Sequence, residues 1–383
     1  MEAKLNASVV EWAIARSGLS EESVAKRYPK LPQWLDGSRT PTPRQLCSLA
    51  NDLKVQLYEL FGDSVPDYGL QIADFRTVGD GGPAEPSPEL YDTIDAMRTR
   101  QEWMHGFFES MGYESVPFVG SYAGRPMDGA TASDLAADVH ADLGLDAAWA
   151  RSARDYGGAL SRLKDAVESI GVSVIVSGTV GDNTHRPLDV EEFRGFALAD
   201  DLAPMIFING RDAKGAQCFT LVHELAHLAY AQTGVSSPDP ESDTGTEAER
   251  FCDAVAAEFL VPSAMLAGEW VSARGDAYER CFRIAAAHRV SFAVVARKAH
   301  DGGLLGDSEF FDALSRHRKD VASTPARRGS GGDYYNTKRF RLGNVFSDAV
   351  LCAVESNYVT YRDAYDLTGL SAPSFRRYFE EVA

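Results

Sequence analysis

The chain has 383 residues, 44% hydrophobic and 25% charged, an ordinary globular composition with room for two or three domains. No run approaches the roughly 18 continuous apolar residues of a membrane-spanning helix, so no membrane partner is expected. The net charge of −18 repels nucleic acid overall, and any DNA contact has to come from a local patch.

The N-terminal residues MEAKLNASVVEW lack a basic segment followed by an apolar run, so no secretory signal is expected. Five cysteines (Cys47, Cys218, Cys252, Cys281, Cys352) form no CxxC pair, which fits a reducing, cytoplasmic location. In the first sixty residues, SVVEWAIARSG has helical apolar spacing and stops at Gly18. LSEESVAKRY follows with Ser20 as a partial N-cap, and then LPQWLDGSRTPT, PRQLCSLANDLKV and LYELF. Two short helices with a tight turn, followed by packing helices, make the helix-turn-helix pattern. Residues 62 to 89 are rich in Gly, Pro and Asp and read as a linker, with IADFRT as a possible anchor. Helices are expected at about 90–113, 133–143 and 155–170, then three strands at VSVIVSG, FRGFALAD and PMIFING. The helix FTLVHELAHLAY comes next, then a polar loop at 231–246, a helix EAERFCDAVAAEFLV, and further helices to about 319. A Gly-, Ser- and Arg-containing linker, KDVASTPARRGSGG, precedes a small helical tail.

The chemistry concentrates in two helices. His223, Glu224 and His227 spell HExxH, and positions i and i+4 share one helix face. Two imidazoles so placed can hold one Zn²⁺ at about 2.0–2.1 Å each, and the glutamate can take a proton from metal-bound water. The flanking Leu221, Val222, Leu225, Ala226, Leu228 and Ala229 predict a buried helix, in which unpaired histidines and a glutamate would cost several kcal/mol. The next helix offers Glu249 as third ligand. It is preferred over Glu247 because Asp253 lies one turn later on the same face, placed to accept the outer N–H of a ligand histidine. Glu258 falls elsewhere on that helix, at an expected exposed edge. Tyr230, His185 and His288 are unranked candidates for oxyanion donor, and PMIFING is expected to be an edge strand that an extended peptide can join.

With these residues in place, the sequence resembles the ImmA/IrrE-type zinc metallopeptidases, whose signature reads TxxHExxH followed by ExxA(N/D)xFAAxLLxP. Here TLVHELAH runs from Thr220 to His227 and ERFCDAVAAEFLVP from Glu249 to Pro262. Cys252, Val255 and Phe259 replace the usual alanine, phenylalanine and leucine, apolar exchanges that leave the ligands untouched. The resemblance implies His223, His227 and Glu249 as zinc ligands and Glu224 as catalytic base, matching the assignment above. WAIARSGLSEESVAKRY with LPQWLDGSRTPTPRQLCSLA is similar to the Xre-type helix-turn-helix often fused ahead of this peptidase. ADFRT in the linker carries the same resemblance, and GGDYYNTKRFRLGNVFSDAV looks like the long form of the family.

The expected fold is therefore α+β: an Xre-like helix-turn-helix module at 1–62, a linker at 63–89, a zincin-like domain with a small sheet at 90–319, a linker at 320–333 and a helical extension at 334–383. The resemblance implies a zinc-dependent endopeptidase that cleaves one protein partner, a repressor or antitoxin-like regulator, in a bacterial or phage regulatory, stress or defence system. The alternative is an Xre-type DNA-binding regulator whose zinc domain senses a partner without turnover. From Met1 to Phe61 there are eight Lys/Arg against seven Asp/Glu, a poor electrostatic footprint for DNA, so docking to protein weighs slightly above DNA binding through residues 8–61.

Overall fold

The computed structural model describes residues 4–17, 19–66, 73–74, 86–238, 246–323 and 334–382. Two compact units emerge, Met1–Gln71 with Ala84–Ile94, and Ile72–Pro83 with Asp95–Ala383.

The first unit is helical: α1 (Ala7–Ser17), α2 (Glu21–Arg27), α3 (Leu31–Leu35) and α4 (Pro43–Leu53). Ser20 caps α2, its hydroxyl accepting the Ser23 N–H at 3.2 Å. Thr42 and Gln45 form a complete capping box at the start of α4, with Pro43 at the first helical position, where a missing N–H costs nothing. Val10, Ala13, Val24, Trp34, Leu49, Leu53 and Leu60 make the unit's core.

The second unit packs helices around one small mixed sheet. It opens with β1 (Ala73–Asp74), and α5 (Pro88–Met111) runs across the boundary between the units. There follow α6 (Gly129–Asp142), α7 (Tyr156–Ser169), β2 (Ser173–Ser177), β3 (Gly195–Leu198), β4 (Met205–Asn209), α8 (Lys214–Ala229), β5 (Gly234–Ser236) and α9 (Glu247–Leu260). Then come α10 (Ser263–Ser272), α11 (Ala277–His288), α12 (Phe292–Asp301), α13 (Asp307–Ser323), α14 (Tyr334–Leu342), α15 (Asn344–Glu355), α16 (Tyr361–Thr368) and α17 (Ala372–Val382). The fold is α+β, mostly helical. Among the described residues no single helix is long and apolar enough to cross a membrane.

The sheet order is β1-β5-β3-β4-β2, with β3 antiparallel to both neighbours and the β2–β4 and β1–β5 pairs parallel. The three expected strands appear as β2, β3 and β4. Two more lie where no strand was expected: β5 inside the loop read as polar, and β1 inside the first linker. Residues 239–245 of that loop and 75–77 of ADFRT lie outside the described residues. The expectation of an edge strand at PMIFING is corrected: β4 sits inside the sheet, bonded on both sides. All five of its residues are buried, and its hydrogen bonds are taken by β3 on one side and β2 on the other, so no peptide can join it. Helix α13 also runs to Ser323, into the stretch read as the second linker.

The C-terminal helices are fastened beside β2. Arg100 donates to the carbonyl of Arg341 at 3.1 Å and lies 4.3 Å from the centre of the Phe346 ring. Glu168, buried with its partner Lys164, accepts the Asn344 N–H at 2.8 Å. Asp182 pairs with Lys338 at 2.5 Å and Arg341 at 2.9 Å. Gly343, with φ 79°, is required at this junction: a Cβ there would lie 3.0 Å from Glu168 Oε1 and 3.1 Å from the Val174 carbonyl.

Candidate metal centre

Helix α8 is buried along almost its whole length, including His223, Glu224 and His227. Its close approach to β3 depends on Gly195. A Cβ at that position would lie 2.6 Å from Thr220 Cγ2 and 3.0 Å from Glu224 Oε1, so the missing side chain is the seat for the glutamate. Helix α9 starts at Thr246, whose hydroxyl accepts the Glu249 N–H at 3.2 Å. A glutamate in this place commonly reaches back to the cap's own N–H. Here its carboxylate turns instead to the histidines: Oε1 is 3.0 Å from His227 Nε2 and Oε2 is 3.4 Å from His223 Nε2.

The outer nitrogens settle the polarity of the rings. His223 Nδ1 lies 2.8 Å from Asp253 Oδ1, and His227 Nδ1 lies 2.9 Å from Gln232 Oε1. Both are oxygen acceptors, so each ring carries its proton on Nδ1 and turns the Nε2 lone pair inward. The two Nε2 atoms are 3.1 Å apart. Two Nε2 atoms this close beside a carboxylate call for a shared cation between them, a proton or a metal ion. Donors about 2.0–2.1 Å from a tetrahedral ion stand roughly 3.3–3.4 Å apart, so the observed separations fit one shared ion.

The electrostatics agree. Burial works against charge on the His223 ring, but hydrogen bonding to Asp253 and Glu249 and their charges raise its pKa well above the ordinary value. Burial raises Glu249, yet the two histidines outweigh it and hold its carboxyl at about 2. The pocket is built for positive charge. Burial also pushes Glu224 up to about 8, opposed by His223 and reinforced by Glu249, and solvent reaches neither of its oxygens. A dication on the three ligands would favour its charged form.

Of the sequence-derived residues, the structure brings His223, His227, Glu249, Glu224 and Asp253 together. Glu247 is exposed at the start of α9. Glu258 is half-buried and bonded to Lys298 and Ser263, which corrects the expectation of an exposed edge: the ammonium supplies the partner that permits its burial. Tyr230 OH is 3.4 Å from the Pro126 carbonyl, and the ring packs against Phe251. His288 is engaged by Glu269, Arg151 and the Leu260 carbonyl. His185 lies exposed on a turn. Two residues near the cluster were missed. Gln232 holds the outer nitrogen of His227, and Ser236 of β5 places its hydroxyl 3.4 Å from His227 Nε2.

Residues 168–300 match the family model of the IrrE N-terminal-like domain, Peptidase_M78. This segment is thus similar to metallopeptidases of the ImmA/IrrE type, and it contains the sheet strands β2 to β5 and all four residues of the HExxH-plus-glutamate set. Residues 342–381 match a domain of unknown function, DUF8813. No curated protein matches the chain.

Proposed function

We propose that the protein is a zinc-dependent endopeptidase that cleaves a specific protein partner, a repressor or antitoxin-like regulator in a bacterial or phage system. The observation that carries the reading is the convergence of the two His Nε2 atoms and the Glu249 carboxylate beside the buried Glu224. A zinc ion held by His223, His227 and Glu249 would acidify a water molecule and polarise a peptide carbonyl. Glu224 takes the proton from the attacking water and returns it to the leaving amine. Asp253 and Gln232 keep both rings in the metal-binding tautomer. The regulator as substrate rests on the resemblance to the ImmA/IrrE family. So does reading α1 to α4 as an Xre-like helix-turn-helix that selects a partner or DNA, ahead of the linker at 63–89, with the peptidase domain at 90–319. The cytoplasmic location rests on the unpaired cysteines.

The test has two readouts. Elemental analysis should find about one zinc in wild type and in Glu224→Gln, and little in Glu249→Ala. New protein N-termini should appear in a lysate of the source cells treated with wild type and not with Glu224→Gln. Absence of zinc after loading sinks the metal centre. Zinc without new termini removes the peptidase and leaves a sensor that binds without turnover.

A further inference from the structure

We propose that the C-terminal extension carries a second helix-turn-helix, formed by α16 and α17, that binds duplex DNA with α17 in the major groove. The turn is the starting point. Helix α16 ends at Thr368 and α17 begins at Ala372, leaving three residues between them, Gly369, Leu370 and Ser371. Gly369 has φ 64°, the left-handed conformation that stops a helix and redirects the chain within one residue. Leu370 is buried and pins the turn to the core. Thr360 and Asp363 fix the start of α16 with a full capping box. Two helices joined by a short glycine-containing turn, with α15 packed against the first of them, follow the order of the helix-turn-helix unit.

Burial divides α17 into two faces. Phe375, Tyr378 and Phe379 are buried, at spacing i, i+3, i+4, and Tyr378 OH meets Ser347 Oγ of α15 at 2.8 Å. Pro373, Arg376, Arg377 and Glu380 are exposed. The contacts that fasten the extension beside β2 come from Lys338, Arg341, Asn344 and Phe346, on α14 and the start of α15. On the outer face of α17, Arg377 lies over the Tyr335 ring of α14 at 4.6 Å, and Arg376 is exposed beside it. This face is charged, which suits a nucleic acid better than an apolar protein surface.

Residues 334–383 contain six Lys/Arg (338, 339, 341, 362, 376, 377) and six Asp/Glu (348, 355, 363, 366, 380, 381), so the extension is neutral overall, and phosphate contact has to come from the local placement of Arg362 and Arg376 and not from net charge. Along α17 the charges are ordered: Arg376 and Arg377 precede Glu380 and Glu381, and the first turn holds no acid. Recognition helices read base edges with their N-terminal residues, and that end also carries the favourable dipole for phosphate. Arg362 is exposed at the start of α16, the helix that crosses the backbone in such a unit. By comparison, α3 in the first unit has five residues and holds Pro32.

The experiment selects duplexes from a randomised pool with the full-length protein, then titrates the enriched duplex by fluorescence anisotropy at several salt concentrations. Variants are Arg376→Ala, Arg362→Ala and, for the first unit, Lys30→Ala with Gln33→Ala, the exposed polar residues at the start of α3 and within it. An enriched sequence should emerge, and Arg376→Ala should weaken its binding about tenfold or more and relax its selectivity. Arg362→Ala should weaken all duplexes alike and lower the salt slope by about one. Unchanged melting temperatures exclude unfolding as the cause. The proposal is overturned if no duplex is enriched, or if binding ignores Arg376→Ala and is lost in the first-unit variant. It is also overturned if a photo-crosslinking residue at position 376 captures protein and no duplex.

Discussion

His223 and His227 are held by unlike acceptors, a carboxylate at Asp253 and a neutral amide at Gln232. The amide fixes the ring without adding charge. Gln232→Leu should therefore weaken zinc binding about 10- to 100-fold, while Gln232→Glu retains it; competition with a chromophoric chelator measures both. Equal affinity in the leucine variant would show that the turn alone positions His227. Gly195→Ala places a methyl against Thr220 and Glu224 and should cost about 1–3 kcal/mol in urea unfolding, with Glu224 displaced. HExxH is legible in sequence because four residues make about one helical turn. Gln232 follows no such spacing. It reaches His227 because Ala231 takes φ 53° and folds the chain back onto the end of α8.

Among the elements, α7 carries a buried ion pair whose carboxylate also holds the start of α15. Lys164 and Glu168 are each about 3% exposed, and Glu168 also accepts from the Asn344 backbone. Glu168→Ala leaves an ammonium buried without its partner and should cost about 3–5 kcal/mol in chemical unfolding. Lys164→Met with Glu168→Leu should recover only part of this, because the Asn344 N–H still lacks its acceptor. If the double variant matched wild type, that backbone bond would carry no weight. The helices were readable from spacing and stops, and α6, α7 and α8 lie close to the expected spans. Strand β5 was not, since three residues within a polar stretch carry no period; pairing with β3 makes them a strand.

At the scale of the second unit, the seating of the C-terminal extension depends on Asp182, which meets Lys338 and Arg341. Burial raises the Asp182 carboxyl, but the two cations outweigh it and hold its pKa below the ordinary value. The sign follows from this. An aspartate depressed on folding stabilises above its unfolded pKa of about 3.9, and that contribution is lost as pH falls through the lower, folded value. Thermal melting followed from neutral pH down to about 3 should show this loss in wild type and a smaller one in Asp182→Asn. Parallel curves would place the acid sensitivity elsewhere.

The sequence by itself marked the candidate metal cluster, because helical periodicity places His223 and His227 on one face of α8 and Glu249 with Asp253 on one face of α9. It also marked the succession of helices and the strands β2, β3 and β4, through their runs of β-branched and aromatic residues. Tertiary structure decided what periodicity does not encode: that β4 lies inside the sheet, that Gly195 leaves room for Glu224, and that Gln232 closes the back of His227. Each depends on contacts between residues from different elements, or across a left-handed turn. Backbone geometry and packing make those contacts, and local spacing carries no record of them.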